Sequence, residues 1–226
     1  GGFLWESGVY DATVKMVYLN QTASEAMWFN VILEKNSGNF AELRENFCVK
    51  SGKAKGNKTY YTKDGKDYPL PGYSIANSMC VAITGESLPK CMESAEKKQV
   101  NVWNPELKKE APTERPVIMS LVGKPVKVAV HQVIEDRQAK NDKGEYVPTG
   151  ASRTVNQCKF FGNAEGKTAE EITNKEPAAR FDKWAQKNTG TVIDKSTVKK
   201  GNNSAADIMG NTSADTGSLF QTDPPI

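Results

Sequence analysis

The sequence predicts a mainly β protein built around a small closed or partly open barrel of about five or six strands. Apolar and polar residues alternate in several segments, and this period of two is typical of strands with one buried face. No regular helices separate those segments, so a parallel βαβ sheet is not expected. Closing into a barrel is a common way for such strands to protect their edges. The length of 226 residues suits one domain followed by a tail.

The first part of the chain predicts three strands in sequence. Residues 9–18 alternate strictly, residues 26–34 follow a polar loop as the second strand of a hairpin, and residues 43–50 fit a third strand. The alternation places Lys15 and Trp28 on the face away from the core. Trp28 then either caps the barrel or stacks on a ligand, and the sequence leaves both interpretations open.

The middle of the chain contains long insertions. Residues 51–72 are punctuated by Gly and Pro and predict a loop, with a small hairpin around Asp64-Gly65. Residues 73–85 are compatible with a short helix or a strand. Residues 86–115 are polar and contain three prolines, which predicts a long connection with short helical pieces. A strand pair follows, at residues 117–137 and 152–161.

The last third changes character. Thr168 and Glu171 form a capping-box pattern, which predicts that residues 168–187 are helical. Pro177 divides this run into two short helices, the second with Phe181 and Trp184 on one side. The expected organisation is a barrel over residues 1–165, a helical extension over 166–198 and a flexible, weakly acidic tail over 199–226.

Charge is unevenly distributed along the chain. The total of 30 Lys and Arg against 27 Asp and Glu gives +3, but residues 201–226 hold three Asp and no Lys or Arg. The first 200 residues therefore carry 30 basic against 24 acidic side chains, or +6. No segment approaches the ~20 apolar residues of a membrane span, and no secretory signal is recognised. A cytoplasmic location is expected.

Catalysis and metal binding find little support. The single histidine, His131, lies in a predicted strand without a nucleophile motif beside it. FGNAEGKT (161–168) resembles a phosphate-binding loop, but its first glycine stands one residue too close to Gly166. The four cysteines have no CxxC spacing, so buried reduced thiols are expected rather than a zinc site. We expect no enzymatic activity, no metal and no cofactor.

The most informative segment is SGKAKGNKTYYTKDGKDYPLPGY, at residues 51–73. Together with Lys50 it combines cations that neutralise phosphates with rings on which bases stack, and duplex DNA hides its base faces. It therefore predicts a surface for a single-stranded nucleic acid, although a solvated loop with locally packed tyrosines is the alternative. The predicted binding residues are Lys50, Lys53, Lys55, Lys58, Tyr60, Tyr61, Lys63, Lys66, Tyr68 and Tyr73.

Other residues are predicted to extend this surface. Lys15, Trp28 and Lys127 lie on strands away from the presumed core face. A second hairpin loop, surrounded by basic residues, is predicted to form the other wall of a cleft; its alternative interpretation is an ordinary hairpin tip. The basic residues assigned there are Arg137, Lys140 and Arg153.

The tail carries a resemblance. The chain ends Thr222-Asp223-Pro224-Pro225-Ile226, and bacterial single-stranded DNA-binding proteins join a basic oligonucleotide-binding (OB) barrel to an acidic tail ending Asp-x-Pro-aromatic. Here isoleucine replaces the aromatic residue, with Phe220 nearby. In size and layout, and in the stretch SGKAKGNKTYYTKDGKDYPLPGYSIANS, the chain resembles the T7-type phage replication proteins of this class.

The resemblance implies an OB-fold protein that coats single-stranded DNA with little sequence preference during replication, recombination and repair. It also implies that the tail recruits DNA polymerase or other replication proteins. The tail residues assigned to this role are Asp207, Asp215, Phe220, Asp223, Pro225 and Ile226. An alternative function is a phage structural or host-interaction protein that binds another protein through residues 50–73. The oligomeric state stays open, with a homodimer among the options.

Overall fold

A computed structural model describes residues 4–36, 42–104, 107–142 and 146–198. The protein is mainly β, as the alternation predicts. The strands are β1 (Gly8–Gln21), β2 (Met27–Lys35), β3 (Leu43–Lys50), β4 (Tyr60–Lys63), β5 (Lys66–Pro69), β6 (Ala95–Asn104), β7 (Lys109–Ile118), β8 (Pro125–Lys140), β9 (Tyr146–Gly162) and β10 (Val192–Asp194). The helices are α1 (Pro71–Thr84), α2 (Leu88–Met92), α3 (Ala169–Thr173) and α4 (Arg180–Asn188).

Five strands form the central antiparallel sheet. β1 pairs with β2 along one edge and with β8 along the other, β2 pairs with β3, and β8 pairs with β9. One face of these strands is buried, with Phe29, Leu33 and Phe161 among the least exposed side chains. The strand segments predicted from the alternation are confirmed, although β1, β8 and β9 are longer than expected.

The sheet does not close into a ring through main-chain hydrogen bonds. Within the described ranges, no ladder joins β3 to β9. A side chain crosses this gap instead, because the Glu45 carboxylate accepts a hydrogen bond from the Cys158 N–H at 3.0 Å. Glu45 occupies a core-facing position between Leu43 and Phe47, which are both buried.

Helix α1 resolves the open question of residues 73–85. Pro71 stands in its first turn, where a missing N–H costs nothing, and Gly85 ends it in the left-handed conformation. Gly72 lies directly against the main chain of Cys48 in β3, so a Cβ there would clash. The helix buries Ala76, Met79 and Cys80 in the core.

The prediction for residues 86–115 was wrong in part. Only α2 is helical, and β6 and β7 pair from Ala95↔Ile118 to Asn104↔Lys109 as a long hairpin, here named the β6–β7 arm. Val100 and Val117 pack on Tyr18 and Ile32, on the outer face of β1 and β2. The arm was missed because most of its side chains are polar and exposed, so little apolar alternation marks its strands.

The C-terminal extension contains the two predicted helices. The capping box is present: Thr168 Oγ1 accepts from the Glu171 N–H, and the Glu171 carboxylate accepts from the Thr168 N–H. Phe181 and Trp184 of α4 both contact Phe160 of β9, as expected for residues on one side of that helix. An unpredicted strand, β10, then pairs in parallel with β8. The predicted tail, 199–226, lies outside the described residues, together with all its assigned partner-binding positions.

Candidate nucleic-acid interface

The loop before β4 is held firmly against the β1–β2 turn. The Lys53 N–H donates to the Ser24 carbonyl at 2.8 Å, and the Asn57 side chain donates to the Glu25 carboxylate at 2.9 Å. Gly52 packs on the Ser24 carbonyl, where a Cβ would stand 2.8 Å from the oxygen. Main-chain bonds thus fix the loop, while the side chains of Lys53, Lys55 and Lys58 stay exposed.

The β4–β5 hairpin follows the predicted Asp64-Gly65 turn. Both turn residues have positive φ, 53° and 72°, as a type I′ turn requires. The register pairs Tyr61 with Tyr68 and Lys63 with Lys66. Since side chains alternate between the two faces of a strand, these four residues share one face, here named the tyrosine–lysine face.

The two tyrosines of this face are stacked on each other in the open. Their ring centroids lie 5.7 Å apart with an interplanar angle of 28°. Tyr61 is 43% exposed and Tyr68 is 42% exposed, both large for aromatic side chains. A stacked pair with exposed outer surfaces is already arranged to receive another flat ring.

The two lysines of the same face oppose each other without a neutralising acid. Like charges in directly opposite cross-strand positions are destabilising. No ion pair of Lys63 or Lys66 occurs among the residues that the structure describes. An anion bound between them relieves this repulsion, so the face combines a ring stack with an anion site.

The opposite face of the hairpin is internally satisfied. The Thr62 hydroxyl donates to the Asp67 carboxylate at 2.6 Å. The Lys58 ammonium lies 5.0 Å from the centroid of the Tyr60 ring, which is half-buried. Tyr73 is also half-buried in the first turn of α1, packed against the core. Tyr60 and Tyr73 were predicted as stacking residues, but the structure gives each ring another contact.

A strip on the outer face of β3 continues from the lysine-rich loop. Arg44, Asn46, Cys48 and Lys50 alternate with the core-facing residues of the strand, and all four are half-buried. Trp28 pairs with Cys48 in the β2–β3 register and is also half-buried. This strip and the tyrosine–lysine face border the same loop, and the strip offers both an aromatic ring and uncharged polar groups.

Three predicted binding cations are neutralised by acids. Lys15 lies 2.6 Å from Glu34 and also pairs with Glu42. Lys127 lies 2.6 Å from Asp11 across the β1–β8 pair. Their positions off the core face are as predicted, but their charges are already compensated.

The second hairpin is not brought next to the first. β8 pairs with the beginning of β1, whereas the lysine-rich loop docks on the turn that follows the end of β1. Arg153 is held by Glu135, with donor distances of 3.1 and 2.8 Å. Arg137 and Lys140 are exposed beyond this pair, and Lys140 lies 5.2 Å from the Tyr146 ring centroid.

Two buried carboxyl groups show how the body of the protein uses charge. Burial raises the pKa of Glu45 to about 7, and nearby Glu135 adds to the shift, although N–H donors oppose it. For Glu171 burial alone would raise the pKa, but hydrogen bonds from the N–H groups of Thr168, Ala179 and Arg180 outweigh it and lower the pKa to about 2. Both groups hold main-chain segments together.

Sequence reasoning missed Arg44, Asn46 and the β6–β7 arm. The alternation that placed Lys15 and Trp28 also places Arg44 and Asn46 outside, so the signal for those two was present. The contact between the arm tip and β3 had no such signal, because it joins residues 66 positions apart.

Comparisons with known proteins add no relative. No family model matches the sequence, and no curated protein matches it significantly. Within the part of the chain that the structure describes, no helix is long and apolar enough to cross a membrane. In the same residues, no group of three or more His, Cys, Asp or Glu side chains is placed to hold a metal ion.

Proposed function

We propose that the protein binds single-stranded DNA without sequence-specific recognition. The observation that carries this proposal is the tyrosine–lysine face, where the exposed Tyr61–Tyr68 stack adjoins the uncompensated Lys63–Lys66 pair. A base stacked on a tyrosine contributes about 1–3 kcal/mol whatever its identity. A lysine that neutralises a phosphate releases a counterion, which adds affinity independent of sequence.

The exposed ring faces favour a single strand over a duplex. In duplex DNA the base faces are occupied by neighbouring base pairs, so stacking on tyrosine is available only where the bases are unpaired. The exposed side chains of Lys53, Lys55 and Lys58 lie on the loop that precedes this hairpin, and the outer strip of β3 follows on the other side. Together they offer a strand several contacts in succession.

The strand order supports an OB-like interpretation of the fold. The meander β1–β2–β3, the helix α1 after β3, and the later pair β8–β9 with β8 against β1 follow the order of a five-stranded OB barrel. In this interpretation the Glu45–Cys158 hydrogen bond stands where β3 and β9 would complete the ring. The β4–β5 hairpin and the β6–β7 arm are then insertions on either side of α1.

The proposed role is that of a phage-type coating protein with no catalysis of its own. It would cover exposed strands during replication, recombination and repair in the host cytoplasm. The tail would recruit DNA polymerase or other replication proteins. Residues 195–198, the last described before it, are anchored near the base of the second hairpin, where the Thr197 N–H donates to the Asp136 carboxylate at 2.9 Å.

The test is a tryptophan-fluorescence titration with an unstructured ~30-nucleotide strand and a duplex of equal length at three salt concentrations. If four to six lysines meet phosphates, log affinity plotted against log salt has a slope of roughly −3 to −4 for the single strand. Weaker duplex binding is also expected. No binding by folded protein at low salt would overturn the proposal and favour a protein ligand for the tyrosine–lysine face.

A further inference from the structure

Arg44 lies where the outer strip of β3 meets the β6–β7 arm. It shares its face of the strand with Asn46, Cys48 and Lys50, and Lys50 leads directly into the lysine-rich loop. From Arg44 to Lys50 the strip is ~20 Å long, at about 3.3 Å per residue. A strand bound at the loop and followed along this strip therefore reaches Arg44 at its far end.

The guanidinium of Arg44 is already oriented by one acid and occupied by another. The Nε and Nη2 groups donate to Glu42 Oε2 at 3.0 and 2.8 Å, and Glu42 is itself paired with Lys15. The remaining Nη1 group donates to Glu110 Oε1 of the arm at 2.6 Å. Glu42 thus fixes the plane of the guanidinium, while Glu110 takes the donor that a phosphate oxygen would use.

The charge balance permits this exchange. Lys15 and Arg44 carry two positive charges, and Glu34, Glu42 and Glu110 carry three negative charges, which leaves the cluster at −1. A phosphodiester that replaces the Glu110 carboxylate leaves this total unchanged. Glu110 has a 44% exposed side chain on an arm whose apolar anchors, such as Val100 and Val117, lie elsewhere along it. It can turn away without uncovering those anchors.

We propose that Arg44 is a further phosphate-binding residue of the single-strand site, and that Glu110 occupies its guanidinium in the absence of nucleic acid. This inference rests on the proposed function. Glu110 acts as a competitor for the phosphate, so the far end of the strip binds more weakly than its charge alone would allow. Removing the Glu110 charge should extend the site by one phosphate.

The test compares Glu110→Gln with Glu114→Gln. Glu114 lies on the same arm and pairs with Lys97 at 3.0 Å, so both substitutions remove one negative charge and leave one cation without that partner. Glu110→Gln should raise affinity for a 30-nucleotide strand about two- to fivefold, in line with an ion pair of this exposure. It should also steepen the salt slope by about 0.7. Glu114→Gln should leave both quantities near the wild-type values.

A double variant assigns the gain to Arg44. In Glu110→Gln/Arg44→Gln the gain in affinity and in slope should disappear, with thermal melting confirming that each variant is folded. An equal gain in Glu114→Gln, or a gain that persists without Arg44, would overturn the inference while leaving single-strand binding intact. If the wild-type protein does not bind the strand at all, both this inference and the proposed function fail.

Discussion

The β4–β5 hairpin and the outer surface of the central sheet carry the same kinds of cation but use them differently. On the sheet, Lys15, Lys127 and Arg153 each meet a carboxylate within 2.8 Å. On the hairpin, Lys63 and Lys66 face each other. Cations already paired within the protein gain little from a phosphate, whereas an unpaired couple gains both attraction and relief of repulsion. Composition alone does not separate the two cases; partners do.

The largest expected effect tests the body side of this comparison. Glu171→Ala should lower the free energy of unfolding by about 2–4 kcal/mol, because it leaves three buried N–H groups without their acceptor. Glu170, which is exposed and pairs with Arg180 at 2.7 Å, gives the control, and Glu170→Ala should change stability by less than about 1 kcal/mol. Urea denaturation measures both.

The low pKa of Glu171 adds a pH signature to this prediction. Its folded value of about 2 is below the ordinary 4.5, so the stabilisation is present above pH 4.5 and is lost as pH falls through 2. Equal stability loss in Glu170→Ala and Glu171→Ala would contradict the role given to this carboxylate.

Next in size is the effect of the ring stack. Tyr61→Ala/Tyr68→Ala should weaken single-strand binding about 10- to 100-fold, since each lost base contact is worth about 1–3 kcal/mol. The variant Tyr61→Phe/Tyr68→Phe keeps the ring faces and should bind nearly as well as the wild type. The fluorescence titration measures both, and equal losses in the two variants would mean that the hydroxyls matter and the ring faces do not.

A smaller effect compares the two regions directly. Lys63→Gln/Lys66→Gln and Lys15→Gln/Lys127→Gln remove the same charge. The hairpin variant should lose about 1.4 of the salt slope, about 0.7 for each phosphate released, with stability unchanged or slightly raised. The sheet variant should keep the slope and lose up to about 1 kcal/mol of stability per ion pair. Equal slopes in the two variants would remove the distinction between the regions.

The smallest expected effect concerns His131 in the body. Its ring is buried 4.7 Å from the Trp184 centroid, and burial lowers its pKa from the ordinary 6.5. The unfolded chain therefore takes up a proton first, and stability should fall as pH drops below 6.5. Melting curves of wild type and His131→Gln between pH 7.5 and 5 test this. Glu45 titrates in both proteins, so the difference between them isolates the histidine; parallel curves would contradict the prediction.

Local patterns predicted the elements whose cause is local. The Asp64-Gly65 hairpin, the Thr168–Glu171 capping box and the alternating strands all depend on residues close in sequence. Whether Lys127 is free to bind depends on Asp11, 116 positions away, and no local pattern contains that information. The tyrosines show the same limit, because only the register of β4 and β5 separates exposed Tyr61 from half-buried Tyr60.

The β6–β7 arm shows a second limit of the sequence. Its strands are held by few apolar contacts, chiefly through Val100 and Val117, while most positions are charged or polar. A strand buried on neither face carries no strong period of two, so the segment resembles a polar connection. The contact of Glu110 with Arg44 follows from the packing of this arm and is visible only in the structure.

The most direct test of the central claim is photocrosslinking of a strand that carries 5-iodouracil, followed by mass spectrometry of the attached residues. The tyrosine–lysine face predicts crosslinks at Tyr61 or Tyr68. It predicts none at Tyr10, which is half-buried beside Trp5 at 5.0 Å between ring centroids. Crosslinks confined to the central sheet or to the second hairpin, with Tyr61 and Tyr68 unmodified, would contradict the assignment of this face.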